Sequence, residues 1–152
     1  MKYGTATPQA LAERAAQMGQ PIMGLTDRDG LYGAVRWALA CRAAGVQPVL
    51  GVDLAMEPST PSLLEPDAKT PTRGGRWRAE DAPRILLLAS SAVGWASLCR
   101  LVSSAHAESG AAGSPSRPGN PRSPQQAPQL TWAAVREHHE GLVALLPPDG
   151  EV

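Results

Sequence analysis

The chain has 152 residues, with 14 basic and 14 acidic side chains and a formal net charge of zero. That length suits one domain with a real core, and balanced charge gives no reason to expect a nucleic-acid groove. No segment has the apolar length of a membrane span, and the amino terminus has no hydrophobic signal core, so a cytoplasmic protein is expected.

Thr7-Pro8 opens the first predicted helix, since Thr7 can cap and Pro8 suits a first turn. Leu11, Ala15 and Met18 mark its apolar face and Gly19 ends it. Residues 22–25 are a short apolar run bounded by Pro21 and by Thr26-Asp27, which predicts a buried strand. Asp29-Gly30 is a turn signal. A second helix starts at Leu31, with Leu31, Val35, Ala38, Leu39 and Cys41 at near-helical spacing and Arg36 and Arg42 on the other side. Gly45 stops it, because glycine takes the left-handed cap without strain. Residues 46–55 follow as a second buried strand, broken by Pro48 and Gly51. Residues 24–54 therefore form a βαβ unit whose strands end in Asp27 and Asp53, at the carboxyl ends where function gathers in parallel sheets.

Residues 57–82, rich in Pro, Ser, Thr, Gly and charge, predict an exposed insertion. Residues 85–89 predict a strand, and Trp95, Leu98, Leu101 and Val102 a helical stripe. Residues 108–128 are dense in Pro, Gly and Ser and predict a flexible linker. Thr131 caps a short helix running through His138, Gly141 stops it, and residues 142–146 form the final strand. The expected organisation is one incomplete domain. Its core blocks are 1–56, 83–107 and 129–152, interrupted at 57–82 and 108–128. Alternating helices and strands argue for α/β architecture with a parallel sheet.

Several residue types have a structural explanation at hand. Cys41 and Cys99 lie in helical patterns on or beside apolar faces and are expected as buried thiols rather than a disulfide or metal pair. His106, His138 and His139 fall at helix ends, where a cation complements the dipole. Trp37 and Trp95 belong to a core or an interface. Trp77 lies among Arg73, Arg76 and Arg78, a patch able to touch DNA but more simply a solvated loop. No Walker loop, serine-hydrolase elbow or Rossmann glycine pattern occurs.

The run LTDRDGLYGAVRWA (25–38) and the succession AGVQPVLGVDL (44–54) resemble the PHP domain (polymerase and histidinol phosphatase) at the amino end of bacterial DNA polymerase III alpha subunits, most of all the error-prone type. RILLLASSAVGWASLCRLVSSAH (84–106) looks like that family's next strand and helix, and HEGLVALLPPDGEV (139–152) like the strand after that. The resemblance implies a distorted (β/α) barrel with parallel strands. It is present here in part and incomplete at both ends, because closing such a barrel takes about 200 or more residues. A fragment, or one piece of a split polymerase, is the resulting expectation.

Members of the family that act as phosphoesterases or nucleases hold metals through imidazoles and carboxylates at strand ends. The family's opening His-x-His pair has no counterpart here. Of its Asp-His motif, Asp27 is kept and Arg28 stands in the histidine's place. Its third-motif Glu is the shorter Asp53, a histidine before the next strand is Arg84, and a later cysteine is replaced around Pro147-Pro148. Arginine keeps its proton and offers a metal no lone pair. Asp27, Arg28, Asp53 and Arg84 are therefore read as the remnant of a site, suited to a salt-bridge cluster, with Asp27 and Asp53 as the remaining metal-ligand candidates.

No cofactor is expected on this chain; an intact site would take zinc or manganese. The resemblance implies a structural part of an error-prone polymerase in DNA replication or translesion repair synthesis. The partner is the remainder of an alpha subunit, and DNA is reached through that parent, which is a nucleotidyltransferase. The competing expectation is a reduced metal-dependent phosphoesterase or exonuclease.

Overall fold

A computed structural model describes residues 6–57, 83–111 and 128–145. Most of the predicted insertion and linker, with Trp77 and its arginines, and Pro147-Pro148 lie outside these residues. Thr7 accepts a hydrogen bond from the Ala10 N–H at 3.2 Å and opens α1 (Pro8–Gln17). β1 (Ile22–Arg28) leads into α2 (Ala34–Ala44), which Gly45 closes at φ 71°. β2 (Gln47–Met56), β3 (Arg84–Ala89) and α3 (Ala92–Ala111) follow. The last elements are β4 (Gln129–Leu130), α4 (Trp132–Glu137), capped by Thr131, and β5 (Leu142–Leu145). The backbone of α3 continues as helix into the segment expected as linker from residue 108.

Among the described residues five strands form one mixed sheet rather than the expected parallel one. Its order is β1-β2-β3-β5, with β4 added to β2. β1 and β2 are parallel, pairing Ile22 with Gln47 through Arg28 with Asp53, and β4 is also parallel to β2. β3 runs antiparallel to both β2 and β5. A parallel pair needs a crossover, usually helical, and the Pro- and Gly-rich sequence between β2 and β3 has no amphipathic helical period.

Register sorts the side chains into two faces, because alternate residues of a strand point to opposite sides. One face carries Met23, Leu25 and Asp27 from β1, Leu50, Val52, Leu54 and Met56 from β2, and Ile85 and Leu87 from β3. The four helices of the described residues pack on it. α1 and α2 enclose Ala12, Ala15, Trp37, Cys41 and Val46. α3 and α4 bring Leu98, Leu101, Ala105 and Ala134 onto Val52, Leu54, Ile85 and Leu87. The opposite face carries Thr26, Arg28, Gly51, Asp53, Arg84, Leu86 and Leu88.

α3 packs the expected stripe of Trp95, Leu98, Leu101 and Val102 against the sheet, whereas α1 and α2 depart in part from the stripes expected of them. In α2 the inward residues are Ala34, Trp37 and Cys41, while Val35 and Leu39 are 70% and 62% exposed. The indole of Trp37 favours this orientation: it is the largest fully buried side chain among the described residues, and burying it removes more apolar area from water than either Val35 or Leu39 offers alone. α1 meets α2 through the small residues Ala12 and Ala15, which leaves Met18 exposed. Cys41 is buried as expected, whereas Cys99 is only partly covered.

Gly94, in the first turn of α3, and Gly141, just before β5, are in backbone contact. A Cβ on Gly94 would lie 2.0 Å from the Gly141 carbonyl oxygen. That carbonyl accepts from Ser90 N–H at 2.9 Å and Ser90 Oγ at 2.8 Å, and the buried Ser97 Oγ donates to the Glu140 carbonyl at 2.9 Å. The start of α3 and the turn before β5 are thereby locked together.

Candidate functional site

Arg28, Asp53 and Arg84 share the face of the sheet opposite the one on which the helical core packs. Arg84, the first residue of β3, lies opposite Ala55, two positions along β2 from Asp53, so the two side chains emerge side by side. Its Nε donates to Asp53 Oδ1 at 2.6 Å, and its Nη2 to the Asp53 carbonyl at 2.7 Å. The same Nη2 donates to Asp29 Oδ1 at 2.7 Å. Arg28 Nε stands 3.9 Å from Asp29 Oδ2. Two guanidiniums thus face two carboxylates, and Arg84 is only 14% exposed.

Asp29 is the residue around which the cluster is built, and it was expected only as part of a turn. Its φ of 58° is left-handed, a conformation that Asp tolerates better than most residues. Its N–H continues the β1–β2 pairing by donating to the Asp53 carbonyl at 2.8 Å, and its own carbonyl accepts from His106 Nε2 at 2.8 Å. The available signal for Asp29 was its position directly after β1, at a carboxyl end. His106 had none, since 77 positions separate it from Asp29. His106 also lies within α3 rather than at its end, so helix-end charge is not its role. His138 does fall at the end of α4, and His139 Nδ1 donates to the Arg136 carbonyl at 2.8 Å.

Asp27 does not join the cluster. It lies on the helix-covered face, where its Oδ2 accepts from the Gly33 N–H at the start of α2. A Cβ on Gly33 would sit 2.9 Å from that oxygen and 3.0 Å from Leu25 Cδ2, so glycine lets the helix start close over the strand.

These donors do not fit a zinc or manganese centre. A divalent ion requires lone pairs converging on a point, and here the N–H groups of Arg84 occupy the facing oxygens of Asp29 and Asp53. Asp27, the other ligand candidate, is turned to the opposite side of the sheet. Among the described residues no group of three His, Cys, Asp or Glu is placed to hold a metal ion. A shallow groove of about 440 Å³ lies elsewhere, lined by Cys99, Arg100, Ser103, Ser104, Ala107 and His138. Among the described residues no helix is long and apolar enough to cross a membrane.

The family model of the PHP domain matches residues 1–152. The chain is 36% identical over 112 residues to the error-prone DNA polymerase of Mycobacterium tuberculosis, covering 74% of the chain and 9% of that protein. It is 33% identical over 149 residues to the error-prone DNA polymerase of Anaeromyxobacter dehalogenans, covering 97% of the chain and 11% of the relative. The DNA polymerase III subunit alpha of Caulobacter vibrioides is 30% identical over 142 residues, 93% of the chain and 10% of the relative. The chain therefore spans about a tenth of the length of the curated relatives it matches. Among solved structures, an amidohydrolase from Chromobacterium violaceum aligns with a TM-score of 0.39 at 19% identity, over 72% of this chain and 33% of its own.

Proposed function

The chain belongs to the PHP domain family, and from that premise we propose that it serves as a non-catalytic structural part of an error-prone DNA polymerase. In this role it supports a polymerase core in replication or translesion repair synthesis, and it reaches DNA only through that core. The observation that carries the reading is Arg84. Its guanidinium lies between Asp29 and Asp53 at hydrogen-bonding distance from both, in the place where a hydrolytic member of the family would concentrate metal charge. Arg28, Asp53 and Arg84 are then the remnant of a metal site converted to an ion-pair cluster. Asp27 is the remnant whose carboxylate now tethers a helix.

A cation that is covalently part of the chain holds carboxylates together without activating water, because a guanidinium cannot lower the pKa of a bound water as a Lewis acid does. Fixing β1, β2 and β3 relative to one another is what such a cluster accomplishes.

The test uses the Anaeromyxobacter dehalogenans polymerase with the matched region deleted. Adding this chain is expected to restore primer extension or thermal stability to the deleted enzyme. The chain alone, supplied with manganese or zinc, is expected to release no phosphate from p-nitrophenyl phosphate or from DNA ends. Metal-dependent phosphate release abolished by Asp53→Asn, or no effect of the chain on the deleted polymerase, would overturn the reading.

A further inference from the structure

Helix α2 is apolar on two sides. Its inward side, Ala34, Trp37 and Cys41, is accounted for by the core. Its outward side carries Val35 and Leu39 one turn apart, with Tyr32 in the turn just before the helix, and these three are 70%, 62% and 68% exposed. Tyr32 is held in place: a Cβ on Gly30 would lie 2.3 Å from its Cε2, so the ring rests directly on the Gly30 backbone. A surface helix of a free-standing domain normally presents polar residues outward, and a helix apolar all round is a buried one. An exposed cluster of large apolar side chains marks an interaction surface.

The charges around the stripe say what kind of surface covers it. Arg36 and Arg42 flank it and are exposed, and α2 contains no Asp or Glu. A second copy of the chain meeting this face would bring four guanidiniums together without a carboxylate from either helix. A nucleic-acid strand would satisfy the arginines and leave Val35 and Leu39 with no partner. The complementary surface is apolar at its centre and acidic at its rim. Its relatives carry about nine-tenths of their length outside the matched region, which leaves ample protein surface to provide it.

We infer that the Tyr32–Val35–Leu39 stripe, rimmed by Arg36 and Arg42, is the docking surface for an acidic-rimmed apolar patch on the polymerase core. This rests on the reading that the chain supports such a core, and it names the surface through which it does so. Desolvating Val35 and Leu39 supplies the affinity. The arginines set orientation and association rate, so their share weakens with salt.

The experiment measures binding of the labelled full chain to the matched-region-deleted Anaeromyxobacter polymerase, with sedimentation of the chain alone alongside. The double variant Val35→Gln/Leu39→Gln is expected to bind at least tenfold more weakly. Gln is a good helix former at these exposed positions, so the melting curve should hold; Leu39→Gln alone provides a milder second variant. Arg36→Glu/Arg42→Glu is expected to weaken binding most at low salt, and Val143→Gln, at an exposed apolar site on β5, to leave it unchanged.

Equal binding by wild type and the two α2 variants, Val35→Gln/Leu39→Gln and Leu39→Gln, would overturn the docking surface while leaving the supporting role standing. Loss with the arginine variants alone would make the face a polyanion site instead. A wild-type dimer that the Gln variants dissociate would assign it to a second copy. No binding by the wild type would remove the supporting role itself and the docking surface with it.

Discussion

Asp27 and Arg28 are neighbours in β1 and leave the strand on opposite faces of the sheet. Asp27 accepts from the Gly33 N–H under α2, while Arg28 faces Asp29 on the other side. A dipeptide that suggests a single site by adjacency therefore divides its work. One residue fastens a helix and the other joins an ion-pair cluster, as strand alternation requires. The two functions should be separable by mutation.

Removing Arg84 leaves Asp29 and Asp53 facing each other, each less than a quarter exposed, without the guanidinium between them. Arg84→Ala should destabilise the fold by about 3 kcal/mol, the usual cost of orphaning one side of a largely buried pair. Urea unfolding monitored by circular dichroism checks this. Adding Asp53→Asn to the same chain should recover part of the loss, because it removes one of the two repelling charges.

Asp27→Ala should cost about 1 kcal/mol, comparable to losing a helix cap, since the Gly33 N–H would lose its acceptor. Gly33→Ala should show a similar loss by pushing a methyl group to within 2.9 Å of Asp27 Oδ2. If the two act through the same contact, the double variant will be less destabilised than the summed single effects.

Gly94→Ala drives a methyl group into the Gly141 carbonyl, 2.0 Å away, and no flexible side chain is there to yield. A loss of about 3 kcal/mol is expected from overpacking. Gly141→Ala combines a left-handed φ of 69° with a methyl group 2.6 Å from the Gly94 backbone nitrogen. Thermal melts of both variants should fall well below that of Gly19→Ala, whose φ is equally positive but whose Cβ position is open.

Burial pushes the Cys41 thiol above its ordinary range. The folded state then holds its proton more tightly than the unfolded state. The contribution to stability is complete below the unfolded thiol value of about 8.5 and is lost as pH rises toward and through the higher folded value. Stability should decline more steeply on the alkaline side in the native chain than in Cys41→Ala. Iodoacetamide at pH 8 should modify the partly covered Cys99 well before Cys41, as peptide mapping would reveal.

Local features were legible in the sequence because they depend on residues close in the chain. The caps at Thr7 and Thr131 and the glycine closure of α2 at Gly45 follow from side-chain and backbone chemistry within a few positions. So do the four-residue apolar run at 22–25, which lies within β1 although that strand is only partly covered, and the positions of β3 and β5. The family was legible for a related reason: the runs at 25–38 and 44–54 preserve a long ordered pattern of residue types. Of the four candidate site residues, Arg28, Asp53 and Arg84 do meet on one face.

Tertiary structure decided the rest. Which stripe of α2 turns inward depended on the competition between Trp37 and the pair Val35 and Leu39, and helical spacing admits either; Trp37 packs into the cluster with Ala12 and Ala15 of α1. The antiparallel direction of β3 depends on pairing across long stretches of chain, to which periodicity is blind. The centre of the ion-pair cluster, Asp29 held by Arg84 and His106, joins positions 55 and 77 residues apart. Sequence by itself determined the residue types available at the strand ends. Only the sheet's register determined which of them share a face, because a strand sends each successive side chain to the opposite side.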